Sequence, residues 1–135
     1  MMLPFTLDTV RLFLHVLAAT VWVGGQITLA VLVPTLRRIS GEAPRAAARR
    51  FNQVAWPAFG VLVLTGVWNI VAESGEKHER GYGTTLAVKV VVVALSGGAA
   101  FLHARAQGRT ALAVWGAISG VTALLAVVLG VALAG

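Results

Sequence analysis

Cysteine is absent from the 135 residues, and methionine occurs only at Met1 and Met2. Without thiols there can be no disulfide, no thiolate metal site and no CxxC redox pair. Without Met or Cys in the body of the chain, a relay that hands copper along soft sulfur ligands has no donors. Charge is scarce as well, at 12% of residues, with five acidic side chains against 11 basic ones. Combined with 58% hydrophobic residues and a mean hydropathy of +0.84, this leaves too few polar side chains to coat a soluble globule.

What is present is a set of long apolar runs. A membrane-spanning helix needs about 20 mostly apolar residues, and four such runs occur, at about 8–34, 51–72, 84–104 and 110–134. They are continuous and do not alternate polar with apolar, which favours helices over barrel strands. The expected architecture is an all-α, integral membrane, antiparallel four-helix bundle forming a single domain over 1–135. The first run reads as a permanent span and not a cleaved signal, because it carries Asp8 and Arg11, has no basic leader and is too long.

The basic residues set an expected orientation. Arg37, Arg38, Arg45, Arg49 and Arg50 fall in the first connection and Arg105 and Arg109 in the third, while Lys77 and Arg80 in the second are offset by Glu73, Glu76 and Glu79. The positive-inside rule then puts both termini on the non-cytoplasmic side of an inner (plasma) membrane. A net charge of +6 could suggest a nucleic-acid partner. The arginines cluster instead where an anionic cytoplasmic leaflet would meet them, so the expected partner is the lipid bilayer and no nucleic acid.

Ionisable residues inside a span cost about 2.5–3.5 kcal/mol for Lys or Arg at the helix centre, so each needs a reason. His15 and Lys89 stand out. At the helical rise, His15 is about 10 Å past Asp8 and Lys89 about 8 Å past Thr84, similar depths from the same side. Asp8, Arg11, His15, Trp22 and Gln26 recur at helical spacing on the first run, as Thr85, Lys89, Ser96 and His103 do on the third. Asn69 near the outer end of the second run joins this polar set. A neutral imidazole in a helical bundle is a usual haem iron ligand, and a nearby cation such as Arg11 or Lys89 can hold a propionate. In the plainer alternative, His15 bonds to a helix backbone or to Asn69 and Lys89 snorkels to the headgroups. His103 is expected to be wet, near the cytoplasmic end, and His78 a solvated loop residue. Trp56, Trp68 and Trp115 read as packing or interface aromatics, and Pro57 as a kink in the second helix. The fourth run offers Ser119, Thr122 and a Gly116–Gly120 GxxxG step suited to close helix packing or a homo-oligomeric contact.

The segment from His15 through Trp22, Gly24 and Gly25 to Pro34 resembles the first helix of the copper resistance protein D family of membrane domains. Arg50-Phe51, Trp56-Pro57 and Thr65-Gly66 resemble its second helix, and Gly81-Tyr82-Gly83 followed by Leu86 and Lys89 the start of its third. The same landmarks are similar to those of the HemJ-type membrane protoporphyrinogen oxidases, in which the first-helix His and third-helix Lys are implicated in haem b binding. The resemblance implies a haem or porphyrin role for His15, as metal ligand, and for Lys89, with Trp22, Gly25, Pro57 and Gly66 shaping the site.

Three functions compete at this level. The first is a b-type haem or porphyrin-binding membrane protein acting in electron transfer or porphyrin oxidation, with His15, Lys89, Arg11, Trp22 and Gly25 as cofactor-binding residues. The second is copper transport or resistance, with His15, His78 and His103 as imidazole stations. The third is a noncatalytic membrane subunit or scaffold.

Overall fold

The computed structural model describes residues 2–75 and 80–134; His78 lies outside the described residues. Among these the chain is helical apart from short ends and connections, with no strand. Four helices are long and apolar enough to cross a membrane: Leu7–Ile39, Ala43–Glu73, Tyr82–Arg105 and Arg109–Ala134. Their outward residues include Val31, Leu64, Val121 and Val131, each about two-thirds exposed or more. Water would not tolerate so much bare apolar surface, whereas acyl chains are its natural solvent. The chain is a multi-pass membrane protein.

The first helix begins at a capping box, with the Thr6 hydroxyl accepting from the Thr9 N–H and the Thr9 hydroxyl accepting from the Thr6 N–H. This satisfies two of the donors that a helix start leaves unpaired. At Thr20–Gly24 the helix widens to a single π turn, with Trp22 at its centre. Thr20, which opens the turn, and Thr28, one turn beyond it, donate their hydroxyls back to the carbonyls of Val16 and Gly24, both at 2.8 Å. Single π turns within α-helices are often found at functional positions.

The first and second helices run further than the apolar pattern implied. The first passes through Pro34 and ends at Ile39, and the second starts at Ala43, well before Phe51. A proline removes one intrahelical donor without ending a helix whose neighbours hold it. Pro44 sits in the first turn of the second helix, where its missing N–H costs nothing. Ala46, Ala47 and Ala48 then favour helix strongly. The arginines thus ride on helical stems joined by the short turn at Ser40–Glu42.

The chain divides into two compact units, residues 1–76 and 77–135. The first is a hairpin of the first and second helices, which are antiparallel: Arg11 pairs with Glu73, His15 with Thr65, and Trp22 with Phe59 and Trp56. The second is an antiparallel hairpin of the third and fourth helices. Its turn passes through Gly108 at φ +88°, and the third helix is preceded by Gly81 at φ +91°, backbone conformations that favour glycine.

Two buried serines clasp the second hairpin. Ser96 donates its hydroxyl to the Ser119 carbonyl and Ser119 donates to the Ser96 carbonyl, each at 3.0 Å. In lipid, where the hydrophobic effect does not drive helices together, reciprocal bonds of this kind and close packing hold the pair. His103 is half-buried, not wet. Its Nδ1 lies 2.8 Å from the Leu112 carbonyl, which can only accept, so Nδ1 carries the proton. Gly116 makes room for this ring, since a Cβ there would come 3.1 Å from it. One half of the GxxxG step is therefore used inside the hairpin, while the space around Gly120 is open.

Candidate functional site

The chemistry-bearing residues of the first unit lie along the seam between its two helices. At the level of the helix termini, Arg11 is buried, its side chain only 5% exposed, and its Nη2 is 3.4 Å from Asp8 and 3.7 Å from Glu73. Asp8 is a neighbour one turn back on the same helix and Glu73 closes the second helix. Both distances exceed the 2.7–2.9 Å of a charge-assisted hydrogen bond. Arg11 Nε and Nη1 are buried with no hydrogen-bond partner among the described residues, and so is Asn69 Oδ1.

One turn deeper, His15 Nδ1 is 2.8 Å from the Thr65 hydroxyl. That hydroxyl sits 2.7 Å from the Val61 carbonyl and 3.1 Å from the Leu62 carbonyl of its own helix. A threonine has one hydroxyl proton, and the carbonyls can only accept it. The Thr65 oxygen therefore accepts from His15, which fixes the proton on Nδ1 and the lone pair on Nε2. A partner that holds one ring nitrogen as a donor, setting tautomer and ring orientation, is the usual support for a metal-binding histidine. Gly66 adjoins the ring, with a Cβ there falling 3.7 Å from His15 Cε1. A β-carbon would be tolerated, but a larger side chain would press on the imidazole.

Below His15 the seam becomes aromatic. Trp22, 3% exposed, meets Phe59 at 4.5 Å and Trp56 at 5.4 Å between ring centroids, in tilted and edge-to-face arrangements. Such packing is favourable beyond simple burial. Further along, Gly25 lets Phe51 in: a Cβ at Gly25 would overlap the Phe51 ring. The space beside Gly25 is thus filled by the chain's own phenyl group, and this glycine serves close helix packing.

Of the five residues expected to bind a cofactor, the first unit brings Arg11, His15, Trp22 and Gly25 onto one seam. Lys89 belongs to the second unit. There it leans over Gly130 of the fourth helix, where a Cβ would come 3.2 Å from its Nζ. The sequence points to Asn69 or the helix backbone as the partner of His15, with Thr65 standing out only in the resemblance, whereas the structure pairs His15 with Thr65. The signal was available: Thr65, Asn69 and Glu73 follow one another at four-residue spacing, matching Arg11 and His15 on the antiparallel helix. Among the described residues, no three His, Cys, Asp or Glu side chains gather as a closed metal cage.

The chain is similar to the copper transport protein CutJ of Bacillus subtilis, 32% identical over 107 residues, which cover 74% of this chain and 20% of that protein. The match thus spans about a fifth of the relative's length. No protein-family model matches the chain, and no solved structure does.

Proposed function

We propose that this chain is a copper-handling membrane domain in which His15 is the copper-binding imidazole. The observation that carries the reading is the Thr65–His15 hydrogen bond, which orients the ring for binding through Nε2. Imidazole is a good copper ligand, and a chain without Cys or internal Met has histidine as its strongest remaining donor. The similarity to a protein named for copper transport supports copper over other metals. An ion held by one imidazole, with its other positions open to water or backbone oxygen, exchanges readily, which suits passage better than storage.

A second reading, b-type haem binding, rests on the same oriented imidazole. Arg11 fits the propionate role less well. Two carboxylates, Asp8 and Glu73, already lie beside it, and a propionate would add a third to one guanidinium.

Metal analysis and visible spectra of the purified protein, after anaerobic loading with Cu(I) and separately with hemin, distinguish the two. The copper reading expects stoichiometric copper that is lost in His15→Ala and no Soret band in the protein as isolated. A Soret band that disappears in His15→Ala would replace it with the haem reading. Copper retained undiminished by His15→Ala would refute the copper assignment of this residue, and a hemin Soret band unchanged in that variant would refute the haem one.

A further inference from the structure

The helical stems on either side of the Ser40–Glu42 turn carry charge that the imidazole site does not use. Between residues 37 and 50 stand five arginines, Arg37, Arg38, Arg45, Arg49 and Arg50, and one acid, Glu42. All six are exposed. Arg50 donates to the Gln53 side chain at 2.7 Å. The side chains of the other four arginines make no ion pair or hydrogen bond among the described residues.

Helical geometry fixes two of these cations as a pair. Ala43, Pro44, Ala47 and Ala48 are half-buried and Phe51 packs on Gly25, so this side of the second helix faces the first. Arg45 and Arg49 lie together on an exposed flank, one turn apart, with β-carbons about 5–6 Å from one another. Two like charges at this spacing oppose the helix. Arg45 also sits in the first turn, which holds no acidic residue, and meets the positive end of the helix dipole there. An anion held between the two guanidiniums offsets both effects.

Depth selects the anion. The second helix is 31 residues long, about 45 Å at the helical rise, which matches a bilayer of about 40–45 Å with its headgroup layers included. Each of those layers is about 5–8 Å thick. Arg45 lies about 3 Å and Arg49 about 9 Å from the first residue of the helix, and a long arginine side chain reaches back from the deeper position into the polar layer. Lipid phosphates occupy this level. A guanidinium presents paired N–H donors that match two phosphate oxygens, which an ammonium cannot do. We propose that Arg45 and Arg49 form a binding site for the phosphodiester of one anionic phospholipid. The neighbouring arginines repel the choline cation of a zwitterionic lipid, which sets the preference for a headgroup of net negative charge. Diffuse attraction to an anionic leaflet needs only basic residues near its surface, whereas this site needs these two guanidiniums. It is independent of the copper reading of His15.

The test is native mass spectrometry of the full chain released from detergent, titrated with phosphatidylglycerol and, separately, with phosphatidylcholine. One phosphatidylglycerol is expected to bind at least about tenfold more tightly than phosphatidylcholine. The Arg45→Gln, Arg49→Gln double variant is expected to lose at least about tenfold in that affinity, as the removal of charge-assisted hydrogen bonds entails. Arg45→Lys with Arg49→Lys keeps the charge without the paired donors and is expected to lose most of the affinity as well. Arg105→Gln with Arg109→Gln removes the same charge from the other hairpin, where Arg105 lies over the Phe101 ring at 4.7 Å, and is expected to bind phosphatidylglycerol nearly as the wild type does.

Equal affinity of the wild type for the two lipids, a comparison that needs no variant, would overturn the site. Full binding by the lysine variant, or an equal loss in the Arg105, Arg109 variant, would also overturn it by reducing the effect to diffuse attraction. Displacement of the lipid by millimolar glycerol phosphate would overturn it in favour of a site for soluble phosphate. None of these outcomes bears on His15, whose copper binding is judged by metal analysis.

Discussion

Replacing Thr65 with valine tests the imidazole site without touching the imidazole. Valine has nearly the shape of threonine, so no cavity opens; what is lost is the oxygen that accepts from His15 Nδ1, 2.8 Å away. The bond from Thr65 to its own Val61 carbonyl disappears too, but that carbonyl keeps its place in the helix ladder. A part-buried N–H left without an acceptor costs about 1–3 kcal/mol. At metal sites, the loss of such a supporting partner lowers affinity by about 10–100-fold, equivalent to about 1.4–2.8 kcal/mol. The two figures describe the same broken bond and should not be summed.

Thr65→Val is therefore expected to weaken Cu(I) binding by at least about tenfold in a competition titration against a chromophoric chelator. Thr65→Ser, which keeps the hydroxyl, should stay much nearer to wild type. Equal affinities for Thr65→Val and wild type would show that the hydroxyl does not support the ligand. Equal losses in Ser and Val would show that the methyl group, through packing, is what matters.

Other substitutions test the scaffold. Gly25→Ala forces a Cβ onto the Phe51 ring and should destabilise the first hairpin by about 1–3 kcal/mol in a denaturation titration in detergent, with Phe51→Ala in the same chain relieving part of the loss. Ser96→Ala and Ser119→Ala each remove one interhelical bond and should each cost about 0.6–1.7 kcal/mol. Because the two serines sit in one reciprocal hydrogen-bonded pair, their effects are expected to couple by about 0.5 kcal/mol or more in a double-mutant cycle; strict additivity would contradict the reciprocal geometry. His103→Ala removes the bond to the Leu112 carbonyl and should lower stability by about 0.5–1.5 kcal/mol with no change in copper stoichiometry. Gly130→Leu should push the Lys89 amine off the fourth helix, which would appear as faster reaction of Lys89 with an acylating reagent.

The four helices are legible in the sequence because lipid demands long, uninterrupted apolar runs, and nothing else in so short a chain could use them. Their ends are not, because the rule that locates spans is hydrophobicity, and the arginine-bearing stems at Ile39 and Ala43 remain helical after hydrophobicity has stopped. The polar face of the first helix, with Arg11, His15 and Trp22, was visible from its spacing. The partner of His15 was not, since that requires the register between two antiparallel helices, and the apolar pattern barely constrains register in a chain so uniformly greasy. Thr65 and Asn69 differ by one turn, and only the packing of Gly25 against Phe51 and of Trp22 against Phe59 and Trp56 fixes which of them meets the imidazole. Gly25 shows the same difficulty from the other side. A small residue beside a candidate site reads equally well as room for a ligand or room for a neighbouring helix, and here a phenyl ring occupies the room.

The central claim is that the Nε2 nitrogen of His15 binds copper, and X-ray absorption at the copper edge addresses it directly. The copper-loaded wild type is predicted to show a nitrogen shell with the outer-shell scattering of a coordinated imidazole ring, and His15→Ala to lose it. An identical imidazole pattern in His15→Ala, or a copper environment made of oxygen alone in the wild type, would contradict it.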